Sequence, residues 1–396
     1  MTSVLPLPFD RAVKLVDRAV KLAAILAMFV IMTAIATNLR YSLQTDFVSF
    51  WAASKLTLAG TPAAAYNLDV HRAMELSAVA VDGTIPFTYP PPYLFAILPL
   101  GLLPYAFAHA VWVSTTLSAY IAAAQRLVPG AGVIALAFPP VIICGIGGQN
   151  GFLIAAIFMA GMTMLKTRPF LAGLTLGLIV FKPHLGVLLP LALIAGRERR
   201  AFAGAAVSTI CLVLLSLAAF GWVSWAGFIA LVPMASEIAA AGLVNWNKMA
   251  SIYAALRLVG MPEYFAAAFH VLGALCGCLL VWRIWRMSSD VVLRAAVLGS
   301  ATLLISPYVF IYDQVLLVPA LAYLSQRGIN KGAMSFVYAV AILSLAGNFY
   351  SAAALNLAPI VPLALLGMIW RDHRFTLKDA TVHAAFGADS RTPSST

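Results

Sequence analysis

The residue best suited to chemistry is Asp46, in Gln44-Thr45-Asp46-Phe47, just after the first long apolar run and flanked by Phe47, Phe50 and Trp51. A carboxylate among aromatic rings at the mouth of a cavity can serve as general base for an acceptor hydroxyl, because partial burial raises its pKa toward a useful value. The same position also fits a helix N-cap before Phe47, where Asp is favoured. Lys182-Pro183-His184 breaks a long apolar stretch. Proline interrupts the helix, and the charge beside it is costly unless it meets an anion or water. Phosphate is the obvious anion, bound by Lys as a point charge; a lysine snorkelling from a helix end is the plainer alternative. His184 can assist the phosphate or the acceptor, or serve only as a structural hydrogen bonder. Gly147-Gly148-Gln149-Asn150 reads as a polar hinge, for sugar hydroxyl contacts or simply for a tight turn. Trp246-Asn247-Lys248 offers a further external cation with side chains suited to a sugar or headgroup, or else an interfacial anchor. Ser306-Pro307-Tyr308 is followed by Tyr312-Asp313-Gln314. Asp313, set in an apolar run, must face water or a partner, and Lys182 is the candidate partner.

The elements that position these residues must be membrane helices. Of 396 residues 62% are hydrophobic and 10% charged, against about 25% charged in soluble domains, so lipid must be the solvent for much of the chain. The net charge of +11 sits in short clusters between apolar runs, the pattern of the positive-inside rule rather than of nucleic-acid binding. Divided at polar breaks, the runs predict an all-α bundle of about twelve crossings, at roughly 22–40, 105–125, 131–147, 151–165, 169–182, 184–196, 201–219, 263–283, 291–307, 308–325, 333–350 and 355–370. Several are shorter than the roughly 20 residues of a straight span, which is tolerable where their ends line a water-filled cavity.

With the N-terminus inside, only Arg40, Lys55, Arg72, Lys182, Lys248 and Arg257 of the 25 Lys and Arg fall outside, and both termini are cytoplasmic. The first apolar run reads as a membrane helix, not a cleavable signal. A single domain, 1–374, is expected, roofed by external segments 41–104 and 220–262, with 375–396 a disordered cytoplasmic tail. Within the first segment lie an amphipathic stretch through Arg72 and Glu75 and the apolar run 93–103, read as a re-entrant or interfacial helix returning at Pro104. Cys144, Cys211, Cys276 and Cys278 lie inside apolar runs with neither disulfide nor zinc spacing. No nucleotide-binding signature appears, so an external group transfer would draw on a lipid-linked donor. The external carboxylates are not spaced as a metal cage, and neither metal nor cofactor is expected.

Asp46-Phe47-x-x-Phe50-Trp51-Ala52-Ala53, Leu58-Ala59-Gly60-Thr61-Pro62, Ala65-Tyr66-Asn67 and Phe87-Thr88-Tyr89-Pro90-Pro91 resemble the first external loop of glycosyltransferase family 87. So do Pro99-Leu100-Gly101-Leu102-Leu103-Pro104, Trp112, Gly148-Gln149-Asn150, Ala172-Gly173 with Gly177, Lys182-Pro183 and Ser306-Pro307-Tyr308, in order and spacing from about 41 to 325. That family is similar to polyprenol-phosphate-mannose-dependent alpha-mannosyltransferases. The resemblance implies a GT-C fold, a polyprenyl-phosphate-sugar donor carrying mannose or a related hexose, and inverting transfer to a glycolipid or glycan on the periplasmic face of a bacterial inner membrane. It implies Asp46 as catalytic base and makes Lys182 a natural donor-phosphate ligand, with His184 and Lys248 beside it. Tyr89, Gln149, Asn150, Trp246, Asn247, Tyr308 and Asp313 are expected to contact donor or acceptor. The chain departs from the family's pattern at Asn67, where an acid is usual, and at Tyr308, where many members carry histidine. Two other readings use the same residues: a transporter or flippase for a lipid-linked sugar, and a structural subunit of an envelope-assembly complex.

Overall fold

The structure is a computed structural model that describes residues 8–80, 83, 85–240, 245–328, 331–349 and 355–389. Helices make up most of the described residues, with no strand among them. They are α1 (Pro8–Tyr41), α2 (Phe47–Leu58), α3 (Leu68–Ala78), α4 (Pro92–Ile97), α5 (Tyr105–Leu127), α6 (Ala131–Ala137), α7 (Pro140–Gly147), α8 (Gly151–Met164) and α9 (Pro169–Gly177). There follow α10 (Leu188–Ala195), α11 (Arg199–Ala240), α12 (Ile252–Leu258), α13 (Glu263–Met287), α14 (Val291–Ile305), α15 (Val318–Gln326), α16 (Lys331–Phe349) and α17 (Ile360–Asp389).

The chain is a membrane helical protein, but its helices are more broken than twelve crossings require. Among the described residues four are long and apolar enough to cross alone: Arg18–Tyr41, Tyr105–Leu127, Arg199–Met234 and Glu263–Met287. A fifth counts if α7 and α8, bent by 120° at their junction, form one broken span. Each of the twelve expected runs is largely helical, yet proline and glycine cut most of them short. The run 131–147 becomes α6 and α7, split where Pro139 and Pro140 remove two backbone donors. The run 169–182 is α9 plus a tighter 3-10 turn, Leu178–Phe181, that ends at Lys182-Pro183. In the opposite direction, α11 does not stop at 219. It breaks at Gly221, whose φ of 75° only glycine adopts readily, and continues through the Trp222–Trp225 stretch to Ala240.

The segment between α1 and α5, read from the sequence as external, folds as a helical cap. Leu98–Leu102 forms a 3-10 turn after α4, and the combined helix Pro92–Leu102 is too short to span. Ser54 of α2 grips that turn, donating to Leu98 O at 2.8 Å and accepting from Gly101 N at 2.8 Å. A Cβ at Gly101 would lie 2.6 Å from Ser54 Oγ, so the approach requires glycine. Below, α9 and α11 cross through Gly173 and Gly204: a Cβ on Gly173 would strike Ala201 O, and one on Gly204 would strike Phe170 O. Small residues at a helix crossing let backbones touch where lipid supplies no hydrophobic drive. Helix α17 runs through Asp389, into the segment expected to be an unstructured tail; residues 390–396 lie outside the described residues.

Candidate functional site

One face of α5 is the template for the site. Tyr105, His109 and Trp112 lie four and three residues apart, so they stack along one side of the helix. Tyr105 Oη donates to Leu43 O at 2.8 Å and lies 3.0 Å from Thr45 Oγ1, anchoring the residues before Asp46. Trp112 Nε1 donates to Gly148 O at 2.9 Å, anchoring the hinge before Gln149. Between them His109 packs against Phe47, ring centroids 5.3 Å apart. Two segments a hundred residues apart in sequence are thereby held at a common depth.

Asp46 occupies the N-cap position of α2, but its carboxylate makes no capping hydrogen bond. It accepts instead from Gln149 Nε2 at 2.5 Å. The side chain is exposed, yet neighbouring protein crowds it on its inner side. Loss of hydration there raises its pKa, and the Lys248 charge and the Gln149 hydrogen bond pull it part of the way back. Lys248 is exposed, at the end of the turn Trp246–Lys248.

Gln149 faces Asp46, and Asn150 faces the other way, into a buried ion pair. Lys182 Nζ meets Asp313 Oδ1 at 2.5 Å and Asn150 Oδ1 at 3.3 Å, and sits 4.8 Å from the Tyr312 ring centroid. Lys182 and Asp313 are 3% and 1% exposed, which excludes a lysine snorkelling to the surface. Asp313 Oδ2 also accepts from Phe310 N, so the carboxylate is well satisfied. His184 is near enough to feel both charges, and its Nε2 is buried without a hydrogen-bond partner. Tyr89 lies beside Tyr312 and Asn150, between Asp46 and Asp313. Burial and these two carboxylates push its phenol well up, so Tyr89 stays a hydrogen-bond donor.

The remaining expected residues close the same region. Met249 pairs with Phe310 in an antiparallel bridge, and Ala250 N donates to Val309 O at 2.6 Å. The Trp246-Asn247-Lys248 turn and the Ser306-Pro307-Tyr308 segment are therefore neighbours, with Tyr308 half-buried. Two contributors carry no signal in the sequence. Asn356 Nδ2 donates to Trp246 O at 2.7 Å and to Met249 O, pinning the turn from the far end of the chain. Arg257, counted in the sequence only as an external cation, stacks on Trp246 with 5.1 Å to the ring centroid. Neither carries a local signal, since both act through the fold. Among the described residues no three His, Cys, Asp or Glu side chains gather in a way suited to a metal ion.

The site as a whole offers an exposed carboxylate with a raised pKa, an exposed cation close enough to act on it, and amide and phenol side chains around them. That is equipment for deprotonating a hydroxyl next to an anionic leaving group. Compared with known proteins, residues 87–307, more than half of the chain, match the model of glycosyltransferase family 87. The match spans Tyr89 through Ser306, and Asp46 precedes it. No curated protein and no solved structure matches the chain.

Proposed function

Given that the chain belongs to glycosyltransferase family 87 and is a membrane glycosyltransferase, we propose that it moves a hexose, mannose or a close relative, from a polyprenyl phosphate to an acceptor hydroxyl with inversion at the anomeric carbon. The observation that carries this reading is Asp46. Its carboxylate is released from capping its own helix, oriented by Gln149 at 2.5 Å, and raised in pKa with Lys248 nearby.

In the proposed reaction Asp46 accepts the proton of the acceptor hydroxyl as that oxygen bonds to the anomeric carbon. The bond from the anomeric carbon to the phosphate oxygen breaks, and the electron pair leaves on the polyprenyl phosphate. Lys248, the exposed cation of the site, faces the charge that develops there. Lys182 stands behind it, partnered by Asp313 through a single carboxylate oxygen. A donor phosphate reaching this depth would share Lys182 with that carboxylate, with His184 Nε2 free to donate. Tyr89, Gln149, Asn150, Trp246, Asn247 and Tyr308 would line the sugar and acceptor. Glycolipid and glycan hydroxyls are both compatible with an exposed Asp46.

An open groove of about 700 Å³ lies between Leu58, Pro62, Leu98, Phe220 and Val223, mostly apolar. It sits at the other end of α2 from Asp46, about 18 Å along the helix, so it suits the isoprenoid chain rather than the reacting sugar. The placement of Lys and Arg in the sequence supports a periplasmic site in a bacterial inner membrane with cytoplasmic termini. The test is release of polyprenyl phosphate from polyprenyl-phosphate mannose by purified protein, with and without a glycolipid extract. Acceptor-dependent release by the wild type and its loss in Asp46→Asn supports the reading; undiminished release by Asp46→Asn would remove Asp46 from the mechanism.

A further inference from the structure

At the other end of the bundle, arginines gather where the transfer reaction has no use for them. Helix α13 starts at Glu263, on the side of the Lys248 turn, and Arg283 lies 20 residues further on. At a 1.5 Å rise per residue that is about 30 Å, the thickness of a bilayer's hydrocarbon core. There Arg283 of α13 and Arg374 of α17 both stack on one indole, Trp370, with 5.4 and 5.8 Å from each guanidinium carbon to the ring centroid.

Two like charges drawn to one ring repel unless a counter-ion sits between them. The nearby carboxylate is already engaged: Asp372 Oδ2 accepts from Tyr323 Oη at 2.7 Å and pairs with Arg327 Nε at 3.8 Å. Among the residues whose side chains are described, which end at Arg374 in α17, no carboxylate pairs with Arg283 or Arg374, and both are exposed. His373, 7% exposed, lies close enough to feel Arg283, Arg327 and Asp372, and its Nε2 is buried without a hydrogen-bond partner. The described side chains of the cluster thus carry two arginine charges on one ring and a spare buried nitrogen.

The surface leading into it is apolar. Leu275, Leu279 and Trp282 are 55%, 67% and 37% exposed, at a spacing of four and three residues, so they form one outward stripe of α13 that ends at Arg283. A ligand matched to both parts has acyl chains and an anionic head.

We propose that Arg283, Trp370 and Arg374 hold the phosphate headgroup of an anionic phospholipid at the membrane face opposite Asp46, with its chains along Leu275, Leu279 and Trp282. The site ties α13 to α17 through the lipid and is separate from sugar transfer.

Native mass spectrometry of the full-length protein in detergent tests this, with phosphatidylglycerol and phosphatidylcholine of identical acyl chains as probes. The wild type is expected to retain phosphatidylglycerol selectively. Arg283→Gln with Arg374→Gln should weaken that binding roughly 30-fold, at about one surface-arginine increment each, and leave phosphatidylcholine unchanged. The single exposed change Arg374→Gln, which avoids any folding defect of the pair, should weaken it roughly 5-fold. Arg283→Lys with Arg374→Lys should keep most of it, because the charges remain. Equal retention of the two lipids, or phosphatidylglycerol binding indifferent to the glutamine variants, overturns the proposal. So does displacement of the bound lipid by glycerol 3-phosphate at matched concentration, which would make this a soluble-phosphate site.

Discussion

Asp46 and Lys248 make a coupled pair whose charges can be read in a rate profile. Asp46 must be ionised to accept a proton, and burial has moved its pKa upward. Transfer is therefore expected to fall as pH drops through that raised pKa and to plateau above it. Lys248→Met removes a charge that favours the carboxylate, so the acid limb of kcat/KM should move to higher pH, and KM for the donor should rise. A limb that stays in place would show that another group titrates. Asp46→Asn keeps the size and the Gln149 contact but cannot take the proton. It is expected to cost about 10²–10⁴-fold in kcat at unchanged thermal stability, measured as polyprenyl phosphate release beside a melting curve.

At the scale of elements, the hinge between α7 and α8 decides where Gln149 points. Gly148 holds φ at 62°, and a Cβ there would lie 2.7 Å from Phe47 Cβ and 2.8 Å from His109 Cδ2. Gly148→Ala is strained in both backbone and packing. It should lower stability by roughly 1–3 kcal/mol and reduce activity beyond that loss, because Phe47 is the neighbour of Asp46. Thermal unfolding and transfer measured on the same preparation separate the two effects. The α9–α11 crossing makes a control far from the chemistry: Gly173→Val pushes a side chain into the Ala201 carbonyl. It should depress stability without changing the pH limb of the remaining active protein.

Across the whole molecule, three helix breaks meet at one buried ion pair. Lys182 sits between α9 and α10, Asp313 between α14 and α15, and Asn150 between α7 and α8. Breaks expose backbone polar groups, which membrane proteins bury within protein or cavity rather than against lipid. Asp313→Asn leaves Lys182 charged and poorly compensated, and should cost about 3–5 kcal/mol. Lys182→Met combined with Asp313→Leu removes both charges and should recover much of that stability while leaving transfer impaired if Lys182 meets the donor phosphate. Denaturation in detergent with a double-mutant cycle checks the first claim, and donor KM the second.

Much of this site is legible in the amino-acid sequence. The apolar composition requires lipid, and the breaks at Gly148 and Lys182-Pro183 are marked by residues that interrupt a helix; the break at Pro139-Pro140 falls inside a run read as one crossing. Asp46, Gln149, Asn150, Lys182, Lys248 and Asp313 stood out because polar groups are rare and costly in such a chain. The number of uninterrupted spans did not follow, since hydropathy records how apolar a run is and not where its axis turns. Nor did the continuation of α11 past Gly221, which a glycine permits but does not require. The pairing of Lys182 with Asp313 is expected from the sequence and found; only the tertiary structure decided that Asp46 forgoes its cap for Gln149, that Asn150 joins the Lys182 pair, and that Arg283 and Arg374 share Trp370. Each of these is a contact between residues from 4 to 131 positions apart, and all but the shortest depend on which faces of separate helices are packed together.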